Sequence, residues 1–207
     1  EGMLGLRMMP REAIGFIGTG VMGRSMAGHL LDAGYPLHVY NRTKSKAWPL
    51  IERGAIWCES PEEVASASEY ILSIVGYPAD VEEVYFGQNG VLAGLGSGKM
   101  VIDMTTSSPD LARRLYARVQ SLGGEAIDAP VSGGDRGARE ATLSIMAGGD
   151  AAAFNRAKPI LDYLGSNVRR QGAAGAGQYT KMCNQIAIAA GMLGVCESMI
   201  YARKAGL

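Results

Sequence analysis

The residues with the clearest chemistry are Gly18-Thr19-Gly20-Val21-Met22-Gly23, which fit the pattern G-x-G-x-x-G. The pattern follows a short apolar run, Ala13–Gly18, and opens a stretch with helical spacing, the context that makes it specific. Gly18 allows a tight turn, Gly20 lets the backbone approach a pyrophosphate, and Gly23 lets a helix pack closely on a strand. Free N–H groups at the helix start then face the phosphates. About 20 residues further on, an NAD-binding fold presents an acid to the ribose hydroxyls. Here the second strand ends Val39-Tyr40-Asn41-Arg42-Thr43, with no acid at that position. Asn41 can hydrogen-bond a ribose. Arg42 and Thr43 can bind a 2′-phosphate, with Lys44 or Lys46 adding charge, because a guanidinium attracts what a carboxylate would repel. The expected cofactor is NADP, with NAD possible.

A proton donor is harder to find. The chain has two histidines, His29 in the first helix and His38 in the second strand, neither near a candidate substrate site. This excludes histidine acid–base chemistry and a histidine metal cluster. Lys181 is the best candidate. It lies near the start of a long, mostly uncharged helix, with Asn184 and Gln185 at i+3 and i+4 on the same face. Desolvation there favours the neutral amine, as a reversible proton donor and acceptor requires. Taken alone, such a lysine reads as a solvated helix-end charge. The segment Asp128-Ala129-Pro130-Val131-Ser132-Gly133-Gly134 supplies a second feature. Its backbone N–H groups and the Ser132 hydroxyl could cradle a carboxylate; the plainer reading is a Pro/Gly turn.

The elements that must position these residues alternate. Strands are expected at Ala13–Gly18, Leu37–Tyr40, Tyr70–Val75, Met100–Asp103, Ala126–Ala129 and Leu143–Ala147, with a last edge strand at Val168–Arg170. Helices are expected at Met22–Ala33, Pro78–Phe86, from Pro109 to Leu122 and from Asp150 to Leu164. Ser60-Pro61-Glu62-Glu63 reads as a capping box starting another. Pro49 makes the second helix short or bent, and Pro159 marks a kink or break. Such alternation means a mostly parallel sheet covered on both faces. Gly172–Gly177 reads as a flexible turn before a helix from about Gln178 to Lys204. The uncharged run Met182–Cys196 reads as a buried helix, too short for a membrane span, that needs more chain or a partner subunit to cover its apolar faces.

The segments GFIGTGVMG, VYNRT, DMTTSSP, DAPVSGG, ATLSIMAGGD, GAGQYTKMCNQ and ESMIYARKAGL, in this order from about Ala13 to Leu207, resemble the β-hydroxyacid dehydrogenases. The resemblance implies an α/β fold: a Rossmann-type doubly wound, mostly parallel sheet followed by a long connecting helix, with the family's all-α C-terminal domain missing from this chain. It implies an N-terminal extension over 1–12, a dinucleotide-binding domain over 13–173 and an interdomain helix over 174–207. It makes Lys181 the catalytic acid/base, with Ser132, Gly133 and Gly134 binding substrate and Asn184 orienting it. Gln185 stands where many members have a second asparagine, so it is placed in the substrate pocket with a difference expected there. Thr106 is expected against the nicotinamide, and Val75 is placed with the cofactor-binding residues. The expected reaction is hydride transfer between NADP(H) and a small β-hydroxyacid or semialdehyde. Alternatives are an imine reductase of the same fold or a non-catalytic dinucleotide-binding module; Lys181 argues against both.

Composition agrees with small-molecule chemistry. Twenty basic and twenty acidic residues leave no net charge to draw the chain to nucleic acid or an acidic membrane. Three cysteines form no CxxC pair, as expected of a reduced cytoplasmic protein. The expected partners are a small carboxylate substrate and further copies of the chain, associating through the C-terminal helix.

Overall fold

The computed structural model describes residues 11–207. In chain order the elements are β1 (Ile14–Ile17), α1 (Val21–Asp32), β2 (Leu37–Tyr40), α2 (Trp48–Ile51), β3 (Ile56–Trp57), α3 (Pro61–Ala67), β4 (Tyr70–Ser73), α4 (Pro78–Phe86), α5 (Val91–Gly94) and β5 (Met100–Asp103). There follow α6 (Pro109–Ser121), β6 (Glu125–Asp128), β7 (Val131–Ser132), α7 (Gly134–Arg139), β8 (Ser144–Gly148), α8 (Ala151–Leu161), β9 (Asn167–Gly172) and α9 (Ala176–Lys204).

The strands join in the order β3-β2-β1-β4-β5-β6-β8-β7, with β9 on β8. Pairing from β3 through β6 is parallel, whereas β8 runs antiparallel to β6 and β7. The chain builds outward from β1 to β3, then returns to the other side of β1 to build β4 to β6. That reversal leaves a crevice beyond the carboxyl ends of β1 and β4, where open α/β sheets bind ligands.

Burial follows from the two-residue period of a strand. Ile14, Phe16, Leu72 and Ile102 face one buried cluster, with Met26 and Leu30 of α1 and Ile160 of α8. Ile17, Ile71 and Val101 face the other, with Val64 of α3, Tyr85 of α4 and Leu115 of α6. Both faces are covered, so the central strands read as continuous apolar runs.

Helix starts obey local chemistry. Ser60 caps α3 by accepting the Glu63 N–H at 3.1 Å. The return bond of the expected capping box comes from one residue earlier, Glu59 N–H to Glu63 Oε2 at 2.7 Å. Pro49 lies in the first turn of the short α2, where its missing N–H costs nothing. Pro159 lies within α8, which continues to Leu161.

Two expectations are overturned around α9. Gly172–Gly177 is a packed turn, not a flexible one: a Cβ on Gly177 would lie 2.3 Å from the Met146 carbonyl and 2.7 Å from that of Asp128. The close approach lets α9 begin at Ala176, ahead of the expected Gln178. The Met182–Cys196 run is also not a buried helix. Ile186, Met192 and Leu193 are exposed, because only the first turns of α9 meet the domain, through β6, β8, β9 and α6. By length and composition alone α9 could cross a bilayer.

Candidate active site

The glycine loop is shaped by contact at two of its positions. Gly18 has φ +96°, and a Cβ there would lie 2.1 Å from the Ile74 carbonyl. A Cβ on Gly23 would lie 1.8 Å from the Gly18 carbonyl. Gly20 differs, since a Cβ there would enter open space. That space is the end of a cleft of about 840 Å³ lined by Gly18, Gly20, Val21, Asn41, Arg42 and Val75, among others. Met22 and Gly23 line it too. The N-terminus of α1 opens there with Gly20 as N-cap and no side chain satisfying its N–H groups. An anion is the natural partner for such a helix start, so these residues fit a dinucleotide pyrophosphate. Thr19, by contrast, is buried beneath the loop, with its N–H donated to Asn41 Oδ1 at 2.9 Å.

At the far end of the cleft the charges are arranged in pairs. Asn41 spends its oxygen on Thr19, and its nitrogen donates to the Thr43 carbonyl at 2.9 Å. It braces the β2 loop against the glycine loop, with one N–H left for a ribose. Arg42 bonds to Asp80 Oδ1 at 3.1 Å. Lys44 bonds to Glu59 at 3.1 Å and lies over the Trp57 ring at 4.8 Å. Thr43 and Lys46 line the cleft directly. Of the two lysines proposed to add charge, Lys46 is the one the fold delivers.

Beyond the carboxyl ends of β4 and β5 lies a buried polar chain. Ser73 Oγ contacts Tyr85 Oη at 2.6 Å and donates to Asp103 Oδ1 at 2.9 Å. Asp103 Oδ1 also accepts the Thr105 N–H at 3.1 Å, and Thr105 Oγ1 accepts the Val75 N–H at 3.0 Å. Burial pushes the Asp103 carboxyl up to about 6 and raises the Tyr85 phenol. Thr105 and Ser107 are buried, whereas Thr106 between them is exposed. The chain thus fixes Val75 to Thr105 and leaves the Thr106 side chain outward.

The lysine helix is anchored to this loop. The fully buried Gln178 donates to the Thr105 carbonyl at 2.8 Å and accepts the Ser107 N–H at 2.8 Å. The Asp128 carboxylate accepts the Gly175 N–H at 2.7 Å and the Gln178 N–H at 2.9 Å. It supplies the cap that α9 lacks in its own sequence, and a carboxylate at a helix N-terminus also meets the positive end of its dipole. Burial raises the Asp128 carboxyl, against these N–H bonds, which lower it.

Lys181 lies one turn beyond Gln178 and is 7% exposed. Desolvation lowers its pKa, and no carboxylate forms an ion pair with it among the described residues. Asn184, a further turn along, reaches Ser132 Oγ at 3.4 Å. Gln185 accepts from Asn184 at 3.1 Å, so it touches the polar cluster through that side chain. Ser132 ends β7, and Gly133 and Gly134 follow with φ +134° and +61°. The Asn184–Ser132 contact brings α9 to the Ser132–Gly134 segment, and Lys181 lies one turn before Asn184 on the same helix. The histidines lie elsewhere: His29 Nε2 contacts the Ala138 carbonyl at 2.9 Å, and His38 sits in β2. Asp128 and Gln178 had no assigned role in the sequence. Both stand inside the quoted segments DAPVSGG and GAGQYTKMCNQ, which was the available signal.

Residues 13–172 match the model for the NAD binding domain of 6-phosphogluconate dehydrogenase. The chain belongs to the β-hydroxyacid dehydrogenase family. Residues 13–172 thus form a nicotinamide-dinucleotide-binding domain. The chain is 52% identical over 197 residues to the oxidoreductase YkwC of Bacillus subtilis, covering 95% of this chain and 68% of the relative. It is 45% identical over 193 residues to 2-hydroxy-3-oxopropionate reductase of Escherichia coli, covering 93% of this chain and 66% of the relative. Its fold is similar to Mycobacterium tuberculosis 3-hydroxyisobutyrate dehydrogenase, solved with L-serine. That match has a TM-score of 0.88 and 33% identity, and covers 95% of this chain and 66% of that one. The chain thus spans about two thirds of the length of these relatives.

Proposed function

We propose that this chain binds NADP(H) in preference to NAD(H), and that with it the enzyme interconverts a small β-hydroxyacid and its semialdehyde, with Lys181 as acid/base. The cofactor supplies or accepts the hydride. The chain's own residues do the rest. The α1 start and Gly20 receive the pyrophosphate. Arg42, Thr43 and Lys46 meet the adenosine end. Ser132 and the glycines after it hold the substrate carboxylate, and Asn184 orients the substrate. Lys181 Nζ gives a proton to the carbonyl oxygen in reduction and takes it from the hydroxyl in oxidation.

The observation that carries this reading is the setting of Lys181. It is a buried amine with a lowered pKa on the helix that Gln178 ties to the loop bearing Thr106. A desolvated lysine exchanges its proton more readily than a solvated one. The exposed apolar face of α9 is read as a protein-packing surface, including contacts between copies of the chain, rather than a lipid-facing one. The test is Lys181→Ala in the full-length enzyme, which should lower turnover by about 10²–10⁴-fold and leave cofactor affinity nearly unchanged. Near-native turnover would overturn the assignment.

A further inference from the structure

We propose that Asp80 is a specificity-determining residue of the cofactor cleft, one that restrains binding of a 2′-phosphate by holding Arg42. This rests on the reading of Arg42 as the 2′-phosphate ligand. The pair joins two elements across the cleft, Arg42 after β2 and Asp80 in the first turn of α4, at 3.1 Å. Both residues line the cleft. Arg42 has 80% of its side chain exposed, whereas Asp80 has 24% exposed. Asp80 is also fixed: its Oδ2 accepts the Tyr77 N–H at 3.0 Å and so closes the start of α4. The carboxylate cannot swing out of the cleft without uncapping that helix.

A phosphate monoester carries about −1.5 to −2 charges at neutral pH. To reach Arg42 it must share the guanidinium with Asp80 and sit close to a fixed negative charge. An unmodified 2′-hydroxyl meets neither difficulty. Glu59 and Glu83 also line the cleft, but Glu59 is engaged by Lys44. Asp80 is therefore the acid in direct contact with the residue that would select the phosphate.

The experiment is calorimetric titration of the 207-residue chain with adenosine 2′,5′-bisphosphate (2′,5′-ADP) and with 5′-AMP, which differ in the 2′-phosphate alone. Asp80→Asn keeps an oxygen to accept the Tyr77 N–H, so α4 retains its start. It should tighten 2′,5′-ADP about three- to fivefold, the scale of losing one exposed ion pair, and shift 5′-AMP less than twofold. Arg42→Ala serves as the separate check on the underlying reading and should erase most of the preference for 2′,5′-ADP. If Arg42→Ala erases the preference while Asp80→Asn leaves 2′,5′-ADP affinity unchanged or weaker, Asp80 does not restrain the phosphate and the proposal falls alone. If Arg42→Ala leaves the preference intact, the reading of Arg42 fails and the proposal falls with it.

Discussion

Gln178 and Thr105 stand 73 positions apart and are joined by a 2.8 Å hydrogen bond from the Gln178 amide nitrogen to the Thr105 carbonyl. With the Ser107 N–H on its oxygen, Gln178 uses both ends of one side chain to set the lysine helix against the loop that carries Thr106. Gln178→Leu would leave a buried donor and a buried acceptor unpaired. Each costs about 1–3 kcal/mol, so urea unfolding should show a loss of at least ~2 kcal/mol. A loss under about 0.5 kcal/mol would show that the loop and helix hold their places without it.

The glycine loop separates stability from binding. Gly23→Ala sets a Cβ against the Gly18 carbonyl and should lower both stability and cofactor affinity. Gly20→Ala sets its Cβ in open space at an unstrained N-cap φ of −72°. It should cost no more than about 1 kcal/mol in stability and yet weaken NADPH binding at least tenfold, since the added methyl occupies the pyrophosphate path. Unchanged affinity in Gly20→Ala, read by fluorescence titration, would remove the pyrophosphate from this loop.

Cofactor choice is tested at Arg42. NADPH should bind more tightly than NADH by roughly 1–3 kcal/mol, the range for hydrogen bonds to charged groups. Arg42→Asp should reverse the order. Equal dissociation constants for the two cofactors in the unsubstituted chain would sink the preference.

The Asp103 carboxyl, raised to about 6, makes stability fall with pH in the acid range. A raised carboxyl binds its proton more tightly in the folded state, so folding is favoured where the group is protonated. Stability should therefore decline between about pH 4 and 6 by an amount of order 1–3 kcal/mol, with Asp128 acting in the same direction. Asp103→Asn keeps an oxygen for Ser73 and Thr105 and should flatten the Asp103 part of that decline in pH-dependent urea unfolding. An unaltered slope would show that Asp103 does not titrate there.

The apolar face of α9 should drive association. Ile186, Met192, Leu193 and Met199 are exposed together, a patch of the kind that marks interaction sites. Sedimentation of the 207-residue chain at high concentration should show a dimer or larger species. A strictly monomeric profile would contradict it.

Much of the fold was legible because its signals are local. Apolar runs of four residues, the Ser60 cap and the G-x-G-x-x-G spacing each act within a few residues, so β1, β2, β4, β5, α4 and α6 fall where the pattern puts them. The elements that went unread are short or glycine-rich: β3 and β7 have two residues each, and α7 starts at a glycine. No period of 2 or 3.6 can show in so few positions.

The sequence by itself determined the class of ligand, because a glycine loop between a strand and a helix is recognisable from residue types and spacing, and it singled out Lys181 as the candidate amine. Tertiary structure alone decided what surrounds them. Asp80 takes Arg42, Glu59 takes Lys44, Asp128 caps α9, and Gln178 grips the Thr105–Ser107 loop. Each partner is drawn from 15 to 73 residues away. Hydrogen bonds and ion pairs act over about 3 Å whatever the chain distance, so only the folded path of the sheet could choose which of twenty acids and twenty bases would meet.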